Sequence, residues 1–446
     1  MDRFTKYNKK KKLSAFQIII LGFAAMVFIG AGLLMLPAAS KEGVTHFHEA
    51  LFTAVSSTCV TGLVVKDTAT HWSYFGQAVI LGLIQVGGLG IITVASVFTL
   101  FSGRKFSLMH RNTIKEAMSA PQLGGLAHII GFVFKWTLIF ELAGAGIMMP
   151  TFCRDFGPRG VWMSIFHSVS CFCNAGFDIM GREGAKFSSM TYYMTSPVIN
   201  ITLICLIIVG GIGFFTWEDF AVNKLRFKKF RMQTKVILVT SIILIFLPML
   251  FFYFSEFSGL AAGQRLLNSF FQSVTTRTAG FNTADLSAMS EGGKGLTTLL
   301  MLIGGSPGST AGGMKTTTIA VLYANAIAVF RRREDPQFFG RRVDASAVKN
   351  SATILMMYAT LFIGGAMIIN IAEAIPISHC LYETASAVGT VGLTLGLTPT
   401  LGILSRIVLM VLMFFGRVGG LTLIYAALSK MEKIPSRLPE EKIIVG

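Results

Sequence analysis

Four short segments carry the same arrangement of small, hydroxyl-bearing and apolar residues: Ser57-Thr58-Cys59-Val60-Thr61-Gly62-Leu63, Cys171-Phe172-Cys173-Asn174-Ala175-Gly176-Phe177, Thr275-Thr276-Arg277-Thr278-Ala279-Gly280-Phe281 and Ala387-Val388-Gly389-Thr390-Val391-Gly392-Leu393. Each sets a glycine before a large apolar residue, and successive glycines lie 114, 104 and 112 residues apart. The side chains differ from copy to copy, so the chemistry common to all four is that of the main-chain carbonyl. Carbonyl oxygens gathered in a ring replace the hydration shell of a monovalent cation while holding it weakly enough to let it leave. Glycine suits such a ring because turning the carbonyls to an axis needs φ values that a Cβ makes costly. A lone glycine in a membrane loop is ordinarily a turn; four at equivalent positions point to a selectivity filter formed by Val60, Thr61, Gly62, Asn174, Ala175, Gly176, Thr278, Ala279, Gly280, Thr390, Val391 and Gly392.

The elements that would position these loops are apolar. Of 446 residues, 53% are hydrophobic and 14% charged, and the mean hydropathy is +0.65, a profile suited to lipid rather than water. Eight stretches are long enough to span a bilayer, at about 16–36, 74–101, 126–150, 197–217, 234–254, 296–330, 351–371 and 402–428. The first exceeds a secretory h-region and reads as a retained helix. Between the two spans of each pair sits a shorter apolar stretch, near 47–55, 162–169, 266–274 and 377–388, suited to a re-entrant half-helix whose C-terminal end directs its partial negative charge at the filter.

Of the 39 Lys and Arg, 26 lie in the termini and the loops 102–125, 218–235 and 331–349, nine in the opposite loops, and four within or at the ends of spans. The basic side marks the cytoplasm, with both termini there. Each span–half-helix–span unit begins and ends on that side, so the copies are parallel and related by an axis along the membrane normal. The expected fold is an all-α membrane protein: four parallel M1–pore helix–M2 repeats around a central pore, with pseudo-fourfold symmetry like a K⁺ channel. The divisions are a basic cytoplasmic N-terminus 1–15, repeats at 16–105, 120–225, 233–340 and 348–430, and a cytoplasmic C-terminus 431–446. A second recurring mark is a glycine pair in each second span, Gly87-Gly88, Gly210-Gly211, Gly304-Gly305 and Gly419-Gly420.

The sixth span is interrupted by Gly304-Gly305-Ser306-Pro307-Gly308-Ser309-Thr310-Ala311-Gly312-Gly313-Met314-Lys315-Thr316-Thr317-Thr318, too rich in glycine, proline and hydroxyls for a straight helix. It approaches a phosphate-binding loop, but Met314 separates Gly313 from Lys315 and no strand precedes it. A polar loop just inside the filter is placed to obstruct the path and move aside. Arg417, near the middle of the last span, costs around 2.5–3.5 kcal/mol on insertion scales. It either pairs with a loop carbonyl as a purely structural contact or forms an electrostatic barrier beneath the filter, and the barrier is favoured. Glu141 and Lys135 in the third span do not share a helical face and are read as structural. Arg277 and Asp285, flanking the third filter loop, are secondary candidates for shaping the vestibule field.

The motifs Thr278-Ala279-Gly280-Phe281-Asn282 and Thr390-Val391-Gly392-Leu393, repeated across all four units, resemble the Trk/Ktr/HKT superfamily of K⁺ transporters, and most of all the bacterial Ktr membrane subunit. The resemblance implies K⁺ uptake at the cell membrane, with Na⁺ as a possible activator and no cofactor. It also implies an intramembrane loop acting as a gate, and a homodimer docked on a cytosolic nucleotide-binding regulatory ring through the basic inner loops and termini. Plant members with serine at the first filter position tend to prefer Na⁺; Gly62, Gly176, Gly280 and Gly392 are all glycine, which supports K⁺. Each loop keeps one glycine where K⁺ channels have two in Thr-Val-Gly-Tyr-Gly, so the filter is expected to be shorter and less strict.

Other function classes fit less well. A secondary transporter rocking about a midplane site would carry inverted repeats or a substrate-sized polar constellation, and an intramembrane enzyme would need nucleophile, acid–base or metal-ligand sets at membrane depth. Neither pattern is present, and a Na⁺ or non-selective monovalent cation transporter is the nearer alternative. The formal charge of +17 is clustered between spans as in cytoplasmic loops, which argues against nucleic acid, and the six cysteines lack zinc-site spacing.

Overall fold

A computed structural model of the chain describes residues 14–101 and 126–419, together with positions 113, 114, 116, 422, 439 and 441. Most of the basic N-terminus, most of the loop 102–125, Gly420 with most of 421–430, and nearly all of the C-terminus expected at 431–446 lie outside the described residues.

Each repeat is built of the same three parts. In repeat one they are α1 (Ala15–Leu34), the pore helix α2 (Phe47–Cys59) and a second span broken into α3 (Tyr74–Leu89) and α4 (Ile91–Phe101). Repeat two has α5 (Leu126–Phe156), the pore helix α6 (Arg159–Phe172), α7 (Pro197–Gly211) and α8 (Phe214–Asn223). Repeat three has α9 (Met232–Ser255), the pore helix α10 (Ala262–Thr275), α11 (Glu291–Met301) and α12 (Thr316–Phe330). Repeat four has α13 (Ala345–Glu373), the pore helix α14 (Ile377–Val388) and α15 (Ile403–Val418). The only sheet among the described residues is a two-stranded pairing of Gln337–Phe338 with Arg341–Arg342.

The first spans carry the lipid-facing surface. Phe28 and Ile29 on α1, Leu142 on α5, Leu247 on α9 and Ile371 on α13 are all more than half exposed, as an apolar exterior requires. The pore helices are the reverse: α2 buries Ser56, Ser57 and Thr58, and α14 buries Glu383, Thr384 and Ser386. These polar positions are tolerated because the pore helices are shielded from lipid by the spans and their hydroxyls bond main-chain carbonyls, as Ser57 does to Thr53 at 2.7 Å.

The sixth span is interrupted as its sequence predicts, and the other second spans are broken too, where hydropathy reads them as continuous. α7 and α8 meet at 94°, α11 and α12 are separated by the irregular segment 302–315, and α3 and α15 end on glycines at φ +87° and +85°. The break recurs as Gly-x-x-Gly: Gly87 with Gly90, Gly210 with Gly213, and Gly416 with Gly419. A side chain on the first member would strike the last carbonyl region of the pore helix, at Thr58, Phe172 and Val388 respectively, and the second member takes a φ that only glycine adopts freely. The adjacent glycine pairs are therefore not equivalent positions; Gly416, not Gly419, corresponds to Gly87. In repeat three the long loop makes the break, and its Gly305-Ser306-Pro307-Gly308 has the same spacing without the contact to a pore-helix end.

The repeats interlock in chain order. α3 packs on pore helix α6, α7 on α10, α11 on α14, and α15 on α2, closing a ring. Pore helix α6 is set by an equally close contact: at Gly160 a Cβ would collide with the main chain of Phe152 and Cys153 at the end of α5. Gly160→Val should destabilise the folded protein by about 1–3 kcal/mol through overpacking, seen as a lower midpoint of thermal unfolding in detergent; an unchanged midpoint would show that this contact does not hold the pore helix.

Candidate functional site

The four glycine loops meet at one place. A side-chain atom on Gly62 would lie 2.6 Å from the Ala175 oxygen and 2.9 Å from the Gly176 Cα, and one on Gly176 would lie 3.0 Å from the Ala279 oxygen and 3.1 Å from the Gly280 Cα. One on Gly280 would strike the Val391 oxygen, and one on Gly392 the Thr61 oxygen. The contacts run from loop one to two, three, four and back to one, and each loop presents the carbonyl preceding its glycine to its neighbour. All twelve residues expected in the filter are buried within this ring.

The backbone explains how the carbonyls are turned. In every loop the glycine has positive φ, at +94°, +68°, +79° and +96°, and so does the residue two before it: Val60 at +57°, Asn174 at +57°, Thr278 at +70° and Thr390 at +50°. The residue between them keeps the ordinary negative sign. A chain that alternates hand in this way turns successive carbonyls to the same side instead of alternately, which is what a ring of oxygens needs. Left-handed backbone at β-branched Val60, Thr278 and Thr390 costs of order 1–3 kcal/mol per residue and persists only where the surroundings impose it. The special conformation expected of the glycines is not theirs alone; Val60, Asn174, Thr278 and Thr390 share it.

A second feature escaped the sequence reading. Behind each ring glycine stands a hydroxyl from the end of the pore helix. Ser56 accepts from the Gly62 amide at 3.1 Å and Ser386 from the Gly392 amide at 3.0 Å, while Ser170 donates to the Phe177 carbonyl at 2.7 Å and Thr275 to the Phe281 carbonyl at 2.5 Å. The available signal was a Ser or Thr five or six residues before every filter glycine. On the outer side, all four glycines line a cavity of about 100 Å³ that also includes Asp67 and Asp178. Asp67 ties two repeats together by accepting from the amides of Thr70 and Phe187, each at 2.8 Å.

On the inner side lies the segment interrupting the sixth span. Its main chain is stitched to repeats two and four: Ser306 N–H donates to the Gly211 carbonyl at 3.0 Å, Thr310 N–H to Gly210 at 3.2 Å and Gly313 N–H to Gly416 at 3.1 Å, and the Gly308 carbonyl accepts from Phe214 N–H at 2.6 Å. The Thr310 hydroxyl donates to the Phe172 carbonyl at 3.0 Å, and Gly312 sits against the Thr390 side chain directly under the fourth filter loop. Lys315 turns back on its own loop, donating to the Ala311 carbonyl at 2.7 Å.

Arg417 completes this layer. Its guanidinium donates to the Thr310 carbonyl of the loop and to the carbonyls of Gly87 and Gly88 at 2.5 and 2.7 Å, where α3 breaks. The breaks in the second spans thus supply the oxygens that satisfy a charge at membrane depth, and the planar fork of arginine reaches three of them. Arg417, Lys315, Ser309 and Gly313 line an inner cavity of about 190 Å³.

The residues set aside at the sequence level are placed as follows. Glu141 accepts from the Gln85 amide at 3.2 Å, and its carbonyl accepts from Ser168 on pore helix α6 at 2.6 Å, a structural link. Asp285 is exposed, outside the vestibule, and the Ser287 hydroxyl and amide hold its carboxyl below the usual carboxylate range. Arg277 is packed among Ile207, Ile245 and Gly305, behind the filter rather than at the rim.

Residues 3–436 match the family described as TrkH, cation transport protein. The chain is 38% identical to the potassium/sodium uptake protein NtpJ of Enterococcus hirae over 99% of both chains. It is 36% identical to the Ktr system potassium uptake protein B of Bacillus subtilis over 96% of both. The crystal structure of the potassium transporter TrkH from Vibrio parahaemolyticus shares the fold, with a TM-score of 0.73 at 19% identity, covering 94% of this chain and 85% of that one. With its multi-pass helices, its four-part ring and this match across nearly its whole length, the chain belongs to the TrkH family of cation transport proteins.

Proposed function

We propose that the chain carries K⁺ into the cell across the plasma membrane, through a filter in which main-chain oxygens of the four loops replace water around the ion. The observation that carries this reading is the closed circuit of contacts among Gly62, Gly176, Gly280 and Gly392, with positive φ at two positions of every loop. The relatives named for potassium uptake support K⁺ as the ion, and the one named for potassium and sodium keeps a Na⁺-carrying or Na⁺-activated mode as the second reading. The C-terminal ends of the four pore helices add partial negative charge toward the ring, which favours cations of either kind.

The loop at 304–315 and Arg417 act as the gate. Support comes from their place beneath the filter, where they line the inner cavity, and from the joining of loop, α3 and α15 by a single guanidinium. Moving the loop aside requires exchanging those carbonyl contacts, so whatever pulls α12 or α15 from the cytoplasm acts on the path. Both termini and the basic inner loops face the cytosol in this reading. The functional unit is a homodimer on a cytosolic nucleotide-binding ring, supported by kinship to subunits named as part of a Ktr system.

Purified protein in lipid vesicles should take up rubidium and K⁺, with Na⁺ a weak competitor; equal competition by Na⁺ would replace the K⁺ reading with the non-selective one. In the same assay Gly392→Ser, which forces a side chain at φ +96° against the Thr61 carbonyl, should lower the preference for K⁺ over Na⁺ by about tenfold, equivalent to about 1.4 kcal/mol. Deleting residues 308–313, or making Arg417→Ala, should raise uptake several-fold, on the order of the 1 kcal/mol or so a pinning contact contributes. Unchanged uptake in both would remove the gate.

A further inference from the structure

Nine residues before the filter glycine, repeats two and four carry polar side chains that are fully buried on their pore helices: His167 on α6 and Glu383 on α14. Each reaches past the filter to the chain leaving it. His167 Nε2 accepts from the main-chain amide of Ile179 at 3.2 Å, three residues after Gly176. Its Nδ1 lies 2.7 Å from the Met163 carbonyl, which can only accept, so Nδ1 carries the proton and Nε2 keeps its lone pair for Ile179. Glu383 Oε1 accepts from the amide of Leu395 at 3.1 Å, three residues after Gly392, and from the Thr394 hydroxyl at 2.5 Å. Its Oε2 accepts from the Thr398 hydroxyl at 2.7 Å. Two different residue types thus make the same bond at the same offsets.

The other two repeats lack this bond to the exit amide and tie helix to exit strand by other means: the Thr283 hydroxyl donates to Asn268 Oδ1 on α10 at 3.1 Å, and Lys66 pairs with Glu49 on α2 at 3.2 Å. Thr53, at the corresponding offset in repeat one, donates back to the Glu49 carbonyl of its own helix at 2.9 Å, and Phe271 occupies the offset in repeat three. In a ring running one, two, three, four, repeats two and four face each other. We infer that His167 and Glu383 are positioning residues that fix the filter bore along one diagonal, by holding the main-chain amide of the strand leaving each loop on a fully buried pore-helix acceptor, and that ion discrimination depends on them. Removing the acceptor at Glu383 leaves an amide and two hydroxyls unanswered in a buried place, so the exit strand must shift to find partners. The shift is transmitted to Gly392, which has no free space around it.

This inference rests on the K⁺ reading above, and one experiment separates the two. Rubidium uptake by the full chain in vesicles is measured against K⁺ and Na⁺ competition for the wild type, Glu383→Gln and Glu383→Leu. A wild type without K⁺ preference ends the K⁺ reading and not the brace. Given that preference, Glu383→Leu should lower the K⁺-over-Na⁺ ratio by about fivefold or more while uptake continues, as a loosened filter does. Glu383→Gln, which keeps an acceptor oxygen for Leu395 and an amide that Thr398 can accept from, should stay within about twofold of wild type. If Glu383→Leu does not reach the membrane, the double variant Thr394→Val with Thr398→Val, which keeps the carboxylate and removes two donors, takes its place with the same expected direction. A ratio unmoved in either transporting variant, or Gln as damaging as Leu, overturns the inference; failure of every variant to insert assigns the braces to folding alone and overturns it as well.

Discussion

Irregular backbone at membrane depth must have every carbonyl and amide answered by protein or water, and the architecture follows from meeting that demand at one axis. The filter loops depart from helix where the four repeats of the chain meet, so that no lipid touches them. Their amides and carbonyls are held from behind by Ser56, Ser170, Thr275 and Ser386. In the proposed function, the oxygens turned along the path are left for a cation stripped of water.

The same demand organises the layer beneath. Each second span breaks close to the end of a pore helix, and a broken helix releases carbonyls. At Gly87, Gly88, Gly210 and Gly211 those oxygens are taken by Arg417 and by the amides of the intramembrane loop. A single arginine without a carboxylate would be a liability in lipid, yet here it meets three oxygens that need a donor. Filter, loop and arginine therefore form one hydrogen-bonded stack, in which a displacement of the loop exposes partners on both sides at once.

A filter made by one chain is free to differ between quadrants in a way that four identical subunits cannot. Main-chain geometry is shared by all four loops, with paired positive φ values throughout. The supports are not shared: hydroxyls accept in repeats one and four but donate in repeats two and three, the long loop belongs to repeat three, and buried ionisable groups brace repeats two and four. The ring is thus fourfold in its oxygens and lower in symmetry in everything that holds them.

Membrane residence, the parallel fourfold repeat and the glycines at its centre were determined by the sequence alone, because apolar length, charge asymmetry and a recurring Gly before a bulky residue are local properties that survive without contacts. Pore helix α14 was legible to the residue at 377–388, while α2 and α6 run on through buried Ser, Thr and Cys that the neighbouring spans cover, and α10 begins four residues early in the polar stretch from Ala262 to Arg265. The break in the sixth span was legible in its glycines, proline and hydroxyls, but those in the other second spans were not, because hydropathy does not register a break whose polar groups are satisfied by other repeats. Only the tertiary structure decided that the loops close in chain order, that Gly416 rather than Gly419 matches Gly87, that Arg417 binds carbonyls a whole chain length away in repeat one, and that Glu383 and His167 grip the far side of the filter. Each of these depends on pairs of residues distant in the chain or on a conformation imposed from outside, and a residue's type and spacing carry no record of the neighbour that folding will bring to it.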